Sequence, residues 1–248
     1  LGNRQAVEEG IIKALKRKSD PEIEDDVMMI MIPSEIDYLT RINKKRLAQY
    51  NMGIFNSYRI KTLSDVFLNL AGPFLGAPHA VMGMEKLIAL GAKRFWVMGW
   101  CGSLNPELRI GDLVIPSSAI SEEGTSAHYP IESDLKTDAQ LNELLGQYLL
   151  KKGHLFQKGL LWTTDAPYRE TPEKIKAYQK KGALAVEMEM SALVTVSIFR
   201  QVKLTGLLVV SDELFDLKWN PGFSNPKLKQ GSRLACEILT DLVKSLHG

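Results

Sequence analysis

The sequence has 248 residues, 45% of them apolar and 24% charged, with 31 Lys and Arg against 29 Asp and Glu for a net charge of +2, an ordinary globular composition. A chain of this length buries enough surface to fold without a disulfide framework or a structural metal, and its balanced, interspersed charges leave no basic stripe for nucleic acid. Cys101 and Cys236 show no C-x-x-C spacing, and no apolar run approaches the roughly 18 residues of a membrane span, so a cytoplasmic protein with no membrane partner is expected.

Apolar runs of strand length alternate with longer amphipathic stretches, the pattern of an α/β layer fold. Residues 1–26 read as a helical N-terminal extension, with a helix over 7–16. Strands are then predicted over 27–32, 59–63 and 66–70, followed by a helix over 79–90 and a strand over 94–98. Pro78 at the start of that helix and Gly91 just past its end match the usual asymmetry of helix termini. The rest alternates strand 112–120, helix 139–152, strand 156–163, helix 172–180, strand 185–188, helix 190–200, strand 204–211 and helix 226–247. Short turns rich in Gly, Pro or Asn separate these elements without a linker or repeat, which predicts one domain over 1–248.

Three places put polar residues or glycines at the end of an apolar strand, where open α/β sheets bind ligands. In the first, Gly99, Trp100, Cys101 and Gly102 form a loop whose glycines permit positive φ or a close backbone approach. That loop either presents main-chain N–H groups to an anion or sugar oxygen, or is a tight turn leaving the strand. In the second, Glu187, Met188 and Glu189 stand at a strand-to-helix junction between apolar flanks. Two carboxylates there are costly without donors, and a vicinal diol supplies two O–H groups to one carboxylate. A helix N-terminus that favours acids is the alternative. The third is Ser211-Asp212 at the end of the strand over 204–211. Asp212 is placed to act as a general acid if burial raises its pKa, or simply to cap a helix or turn.

Taken in order, these places and their surroundings resemble the nucleoside phosphorylase superfamily of purine nucleoside phosphorylases, uridine phosphorylases and methylthioadenosine nucleosidases. The resemblance runs from about Tyr58 onward through Gly76-Ala77-Pro78, Gly99-Trp100-Cys101-Gly102-Ser103-Leu104, Ile110-Gly111-Asp112, Gly124-Thr125-Ser126, Thr163-Thr164-Asp165-Ala166-Pro167-Tyr168, Val186-Glu187-Met188-Glu189 and Ser211-Asp212. It implies a single three-layer α/β domain around a mixed, partly closed sheet flanked by helices, assembled as a homo-oligomer of two, three or six copies with active sites beside the interfaces. It implies a small-molecule nucleoside as partner and no cofactor, with phosphate as co-substrate. Glu189 would hold the ribose 2′ and 3′ hydroxyls, with Met188 against the sugar and Glu187 nearby. Asp212 would protonate the purine N7 beside Ser211, Tyr168 would lie near the base, and Gly99 to Gly102 would form the phosphate-side or sugar-side loop.

Departures from the family pattern concentrate on the phosphate side. Residues 32–37 carry no Gly or Arg, Val97 stands where an arginine belongs and Trp100 where a small hydroxyl belongs. The neighbouring-subunit arginine would align near Tyr50, with Arg46 close by, and Glu35 occupies the region from which family nucleosidases activate water. The resemblance therefore leaves three readings: phosphorolysis of a purine nucleoside, hydrolysis by water, and nucleoside binding without catalysis. Trp219 and Phe223 belong either to a lid over the base or to a packed loop. His79, His128, His154 and His247 show no ligand spacing, so no metal is expected.

Overall fold

The computed structural model describes residues 10–62 and 67–247. In chain order it forms β1 (Asp26–Ile30), α1 (Pro33–Ile42), β2 (Leu47–Asn51), β3 (Asn56–Lys61), β4 (Phe67–Gly72), α2 (Ala77–Leu90), β5 (Arg94–Ser103) and β6 (Leu113–Glu122). Then come α3 (Ala139–Lys151), β7 (Gln157–Thr164), α4 (Pro172–Lys180), β8 (Ala183–Glu187), α5 (Met190–Arg200), β9 (Lys203–Glu213), β10 (Asn220–Pro221) and α6 (Pro226–Ser245).

The strands lie in the order β10-β9-β6-β7-β8-β5-β1-β4-β3-β2, and β9 also pairs with β5. That extra pairing closes β5, β9, β6, β7 and β8 into a ring, while β1, β4, β3 and β2 continue from β5 as an open wing. Parallel pairs such as β5 with β9 and antiparallel pairs such as β6 with β9 coexist, giving the mixed, partly closed sheet. Successive β1 side chains point to opposite faces. Val27 and Met29 pack with α2 and α5, whereas Met28 and Ile30 pack with α1, α3 and α6. Both faces are covered, which is why β1 reads as an unbroken apolar run rather than an alternation.

Helix α2 has Pro78 in its first turn and stops at Gly91, whose φ of 119° requires glycine and whose N–H returns to Ile88 and Leu87. Helix α5 is apolar nearly all round, with Met190 to Ser197 buried, as a helix enclosed between the sheet and α2 must be.

Three expectations need correction. The described part of the predicted helix over 7–16, residues 10–16, is not helical, and the described part of 1–26 forms no helical extension. Ile11 and Ile12 are fully exposed there, and a short helix with no buried apolar face is marginal in water. Residues 99–102 are not a loop: they continue β5, with Gly102 opposite Val186 of β8 and Asp212 of β9. Their glycines serve close packing rather than positive φ, since a Cβ on Gly102 would lie 2.5 Å from Leu214 Cδ1. Helix α1 and strand β2 were not anticipated; α1 begins at Pro33 with Glu35 in its first turn and buries Ile36 and Leu39. The strands expected over 59–63 and 66–70 appear as β3 and β4, residues 63 and 66 lying outside the described residues.

Candidate active site

Strands β5 and β9 run in register from Arg94 opposite Lys203 to Cys101 opposite Val210, where the register shifts so that Gly102 meets Asp212. The extra residue at this bulge is Ser211. A bulge bends the strand and re-aims the side chains beside it. The Ser211 hydroxyl donates to Asp212 Oδ1 at 2.6 Å, and Asp212 Oδ2 accepts from the Trp219 indole N–H at 2.9 Å. Asp212 is half-buried.

The junction between β8 and α5 separates the two glutamates by role. Glu187 Oε2 accepts from the backbone N–H groups of both Glu189 and Met190 at 2.7 Å, and its Oε1 accepts from the Thr163 hydroxyl. Glu187 therefore satisfies the otherwise unpaired N–H groups at the start of α5. Both readings of this junction hold, one for each acid. Glu189 Oε1 accepts a single bond, 2.6 Å from the N–H of Gly76, whose φ of 77° sets the entry to α2. Burial, followed by repulsion from Glu187, pushes the Glu189 carboxyl well up. Burial also raises Glu187, against the opposing hydrogen bonds from Thr163, Glu189 and Met190. With three donors against one, the proton shared by the pair resides on Glu189.

A cavity of about 550 Å³ joins these elements. Asp212, Ser211, Glu189, Met188, Glu187, Tyr168, Trp100, Cys101 and Gly102 all line it. Gly99 is buried beneath Leu208 and Met31 and does not line it. Glu35 faces α6 instead, 2.7 Å from Arg233 Nη1, and Arg46 stands exposed on the short 3-10 turn before β2. Val97 is core. The Trp100 indole donates to Ser232 of α6 at 2.8 Å, so the wide ring occupies the place expected for a small hydroxyl. Burial pushes the Cys101 thiol far up, which removes it as a nucleophile.

Sequence reasoning missed one lining acid, Glu170. Its carboxyl accepts no hydrogen bond among the described residues. Burial, together with the Asp212 and Glu122 charges and partly offset by Lys174, pushes it up to about 7. The available signal was an acid immediately before Thr171, the N-cap of α4. Among the described residues, the lining contains four carboxylates and no Lys, Arg or His; nor does any group of His, Cys, Asp and Glu have the arrangement of a metal site.

The family model for the phosphorylase superfamily matches residues 33–244. The chain belongs to this superfamily. Phosphorylase superfamily relatives include a DeoD-type purine nucleoside phosphorylase of Mycoplasma genitalium, 28% identical over 210 residues that cover 82% of this chain and 87% of the relative. The fold is shared with purine nucleoside phosphorylase from Toxoplasma gondii in complex with immucillin-H, at a TM-score of 0.80 and 23% identity over 91% of this chain and 92% of that one. It is shared too with uridine phosphorylase from Vibrio fischeri, at a TM-score of 0.77 and 20% identity over 90% and 93%. No helix among the described residues is long and apolar enough to cross a membrane.

Proposed function

We propose that this phosphorylase superfamily chain cleaves the N-glycosidic bond of a purine nucleoside in the cavity between β5, β8 and β9. The observation that carries the reading is the convergence on one cavity of Glu189, a buried carboxyl with spare acceptor capacity, and Asp212, an acid re-aimed by the β9 bulge. Glu189 takes the ribose 2′ and 3′ O–H groups. Asp212 delivers a proton to the base nitrogen as the C1′–N bond breaks, a contribution of about 10²- to 10⁴-fold for a well-placed general acid. The Trp219 indole N–H must release Asp212 Oδ2 for that oxygen to reach the base. Tyr168, Trp219 and Phe223, exposed beside the cavity, supply ring faces for the base.

The acceptor of the ribosyl group has two readings. The relatives' names favour phosphate. The lining favours water: four carboxylates and no cationic side chain among the described residues make a poor site for a dianion, which needs charge-assisted donors. In a homo-oligomer, Arg46 of a neighbouring copy would be the cation to supply them. Glu35, tied to Arg233 away from the cavity, is not placed to activate water. A panel of purine nucleosides incubated with and without phosphate tests the proposal by release of free base. Phosphate-dependent release supports phosphorolysis and phosphate-independent release hydrolysis. Binding without release rejects both.

A further inference from the structure

The base end of the cavity combines two features that a neutral purine does not account for. Trp100, Tyr168, Trp219 and Phe223 present aromatic rings around it, and the Trp100 and Trp219 centroids lie 6.1 and 6.3 Å from that of Phe223. Tyr168 is 98% exposed, Trp219 62% and Phe223 56%, so these rings are held open rather than packed into the core. Between them stand Asp212 and Glu170, the latter without a hydrogen-bond donor among the described residues. The nearest cation, Lys174, is already engaged by Glu122. Aromatic faces with unpaired carboxylates bind organic cations, which lie over the rings within about 6 Å of their centroids.

We infer that the site takes nucleosides whose base carries a fixed positive charge, such as an N-alkylated purinium or a pyridinium riboside, with Glu170 as the residue that selects the charge. This inference rests on the proposed N-glycosidic cleavage. The electron balance of the step suits such substrates. When C1′–N breaks, the bonding pair moves to the ring nitrogen and cancels its positive charge. The base departs neutral without a proton from Asp212. C1′ takes the oxygen of water or phosphate, and for water the displaced proton passes to solvent. Cation affinity rises with pH through about 7 as Glu170 ionises, with Asp212 and Glu122 facing it as anions and Lys174 as a cation.

The test uses the full chain with an N7-methylated purine nucleoside and its uncharged parent, following free base by absorbance and binding by calorimetry. Wild type should show a Kd or KM at least tenfold lower for the cationic nucleoside. E170Q should reduce that preference to twofold or less. D212N should lose about 10²- to 10⁴-fold on the neutral parent and far less on the cation, because only the parent needs the acid. Equal or weaker binding of the cation while the parent is cleaved overturns the inference and leaves the proposed function standing. A preference undiminished in E170Q overturns the role given to Glu170. Failure to bind or cleave either nucleoside overturns both the inference and the reading beneath it.

Discussion

Replacing Glu189 by Gln separates recognition of a diol from maintenance of the fold. The amide oxygen retains the bond from the Gly76 N–H, which Glu189 Oε1 accepts at 2.6 Å, and the amide nitrogen takes the place of the second oxygen. The ribose hydroxyls then meet a donor where they need an acceptor. Hydrogen bonds to a charged group contribute about 1.5–3 kcal/mol each. With partial replacement by water, the loss of two amounts to about 2–4 kcal/mol, or roughly 30- to 1,000-fold in kcat/KM. The same substitution should cost less than about threefold on a 2′,3′-dideoxynucleoside, which has no diol to lose. Initial rates of base release for both enzymes on both substrates complete the cycle. Stability should move the other way. Burial and Glu187 raise the folded-state pKa of Glu189, so this carboxyl weakens the fold increasingly as pH rises from its unfolded value toward its folded one. A neutral amide removes that penalty, and E189Q should melt no lower than wild type at pH 7. An equal loss of kcat/KM on the diol and dideoxy substrates would refute the assignment.

Two further substitutions test the scaffold. E35Q weakens a pair in which Glu35 is buried against Arg233; it should lower stability by about 1–3 kcal/mol while leaving kcat unchanged. A large loss of kcat in folded E35Q would return Glu35 to the chemistry. Asp26 accepts from Arg94 Nε and Trp96 Nε1 at 2.8 Å and from His247 Nε2 at 2.7 Å, tying the C-terminal end of the described chain to β1. D26A should cost about 3–5 kcal/mol, a drop in Tm of about 6–20 °C for a chain of this size. Although burial opposes it, bonding from Arg94, Trp96 and His247 holds the Asp26 pKa below its usual value. The stability it supplies is therefore present above the unfolded pKa and lost as pH falls through the folded one. The gap between wild type and D26A in thermal melts should narrow below about pH 4, and a gap unchanged at pH 3 would contradict this linkage.

The sequence was most legible where one local signal dominated. Pro78 and Gly91 bounded α2, and the apolar run of β1 marked a strand covered on both faces. It was least legible where the cause lay across the sheet. Gly99 and Gly102 are glycine because Leu208, Met31, Leu214 and Val186 crowd them within β5, and those neighbours come from β9, β8 and the segments that follow β1 and β9. Local reading made the same residues a loop. Glu187 and Glu189 were found together, but only the hydrogen bonds at the start of α5 show that the first holds the helix and the second faces the cavity. Glu170 escaped notice because its significance comes from the approach of Asp212 on β9, 42 positions away in the sequence.

Release of free base from a purine nucleoside by wild type and by D212A, under identical conditions with phosphate present, tests the central claim most directly. Cleavage by wild type and a loss of about 10²- to 10⁴-fold in folded D212A is the predicted result. Cleavage by D212A at the wild-type rate, or no cleavage by wild type across the purine nucleosides, would contradict it.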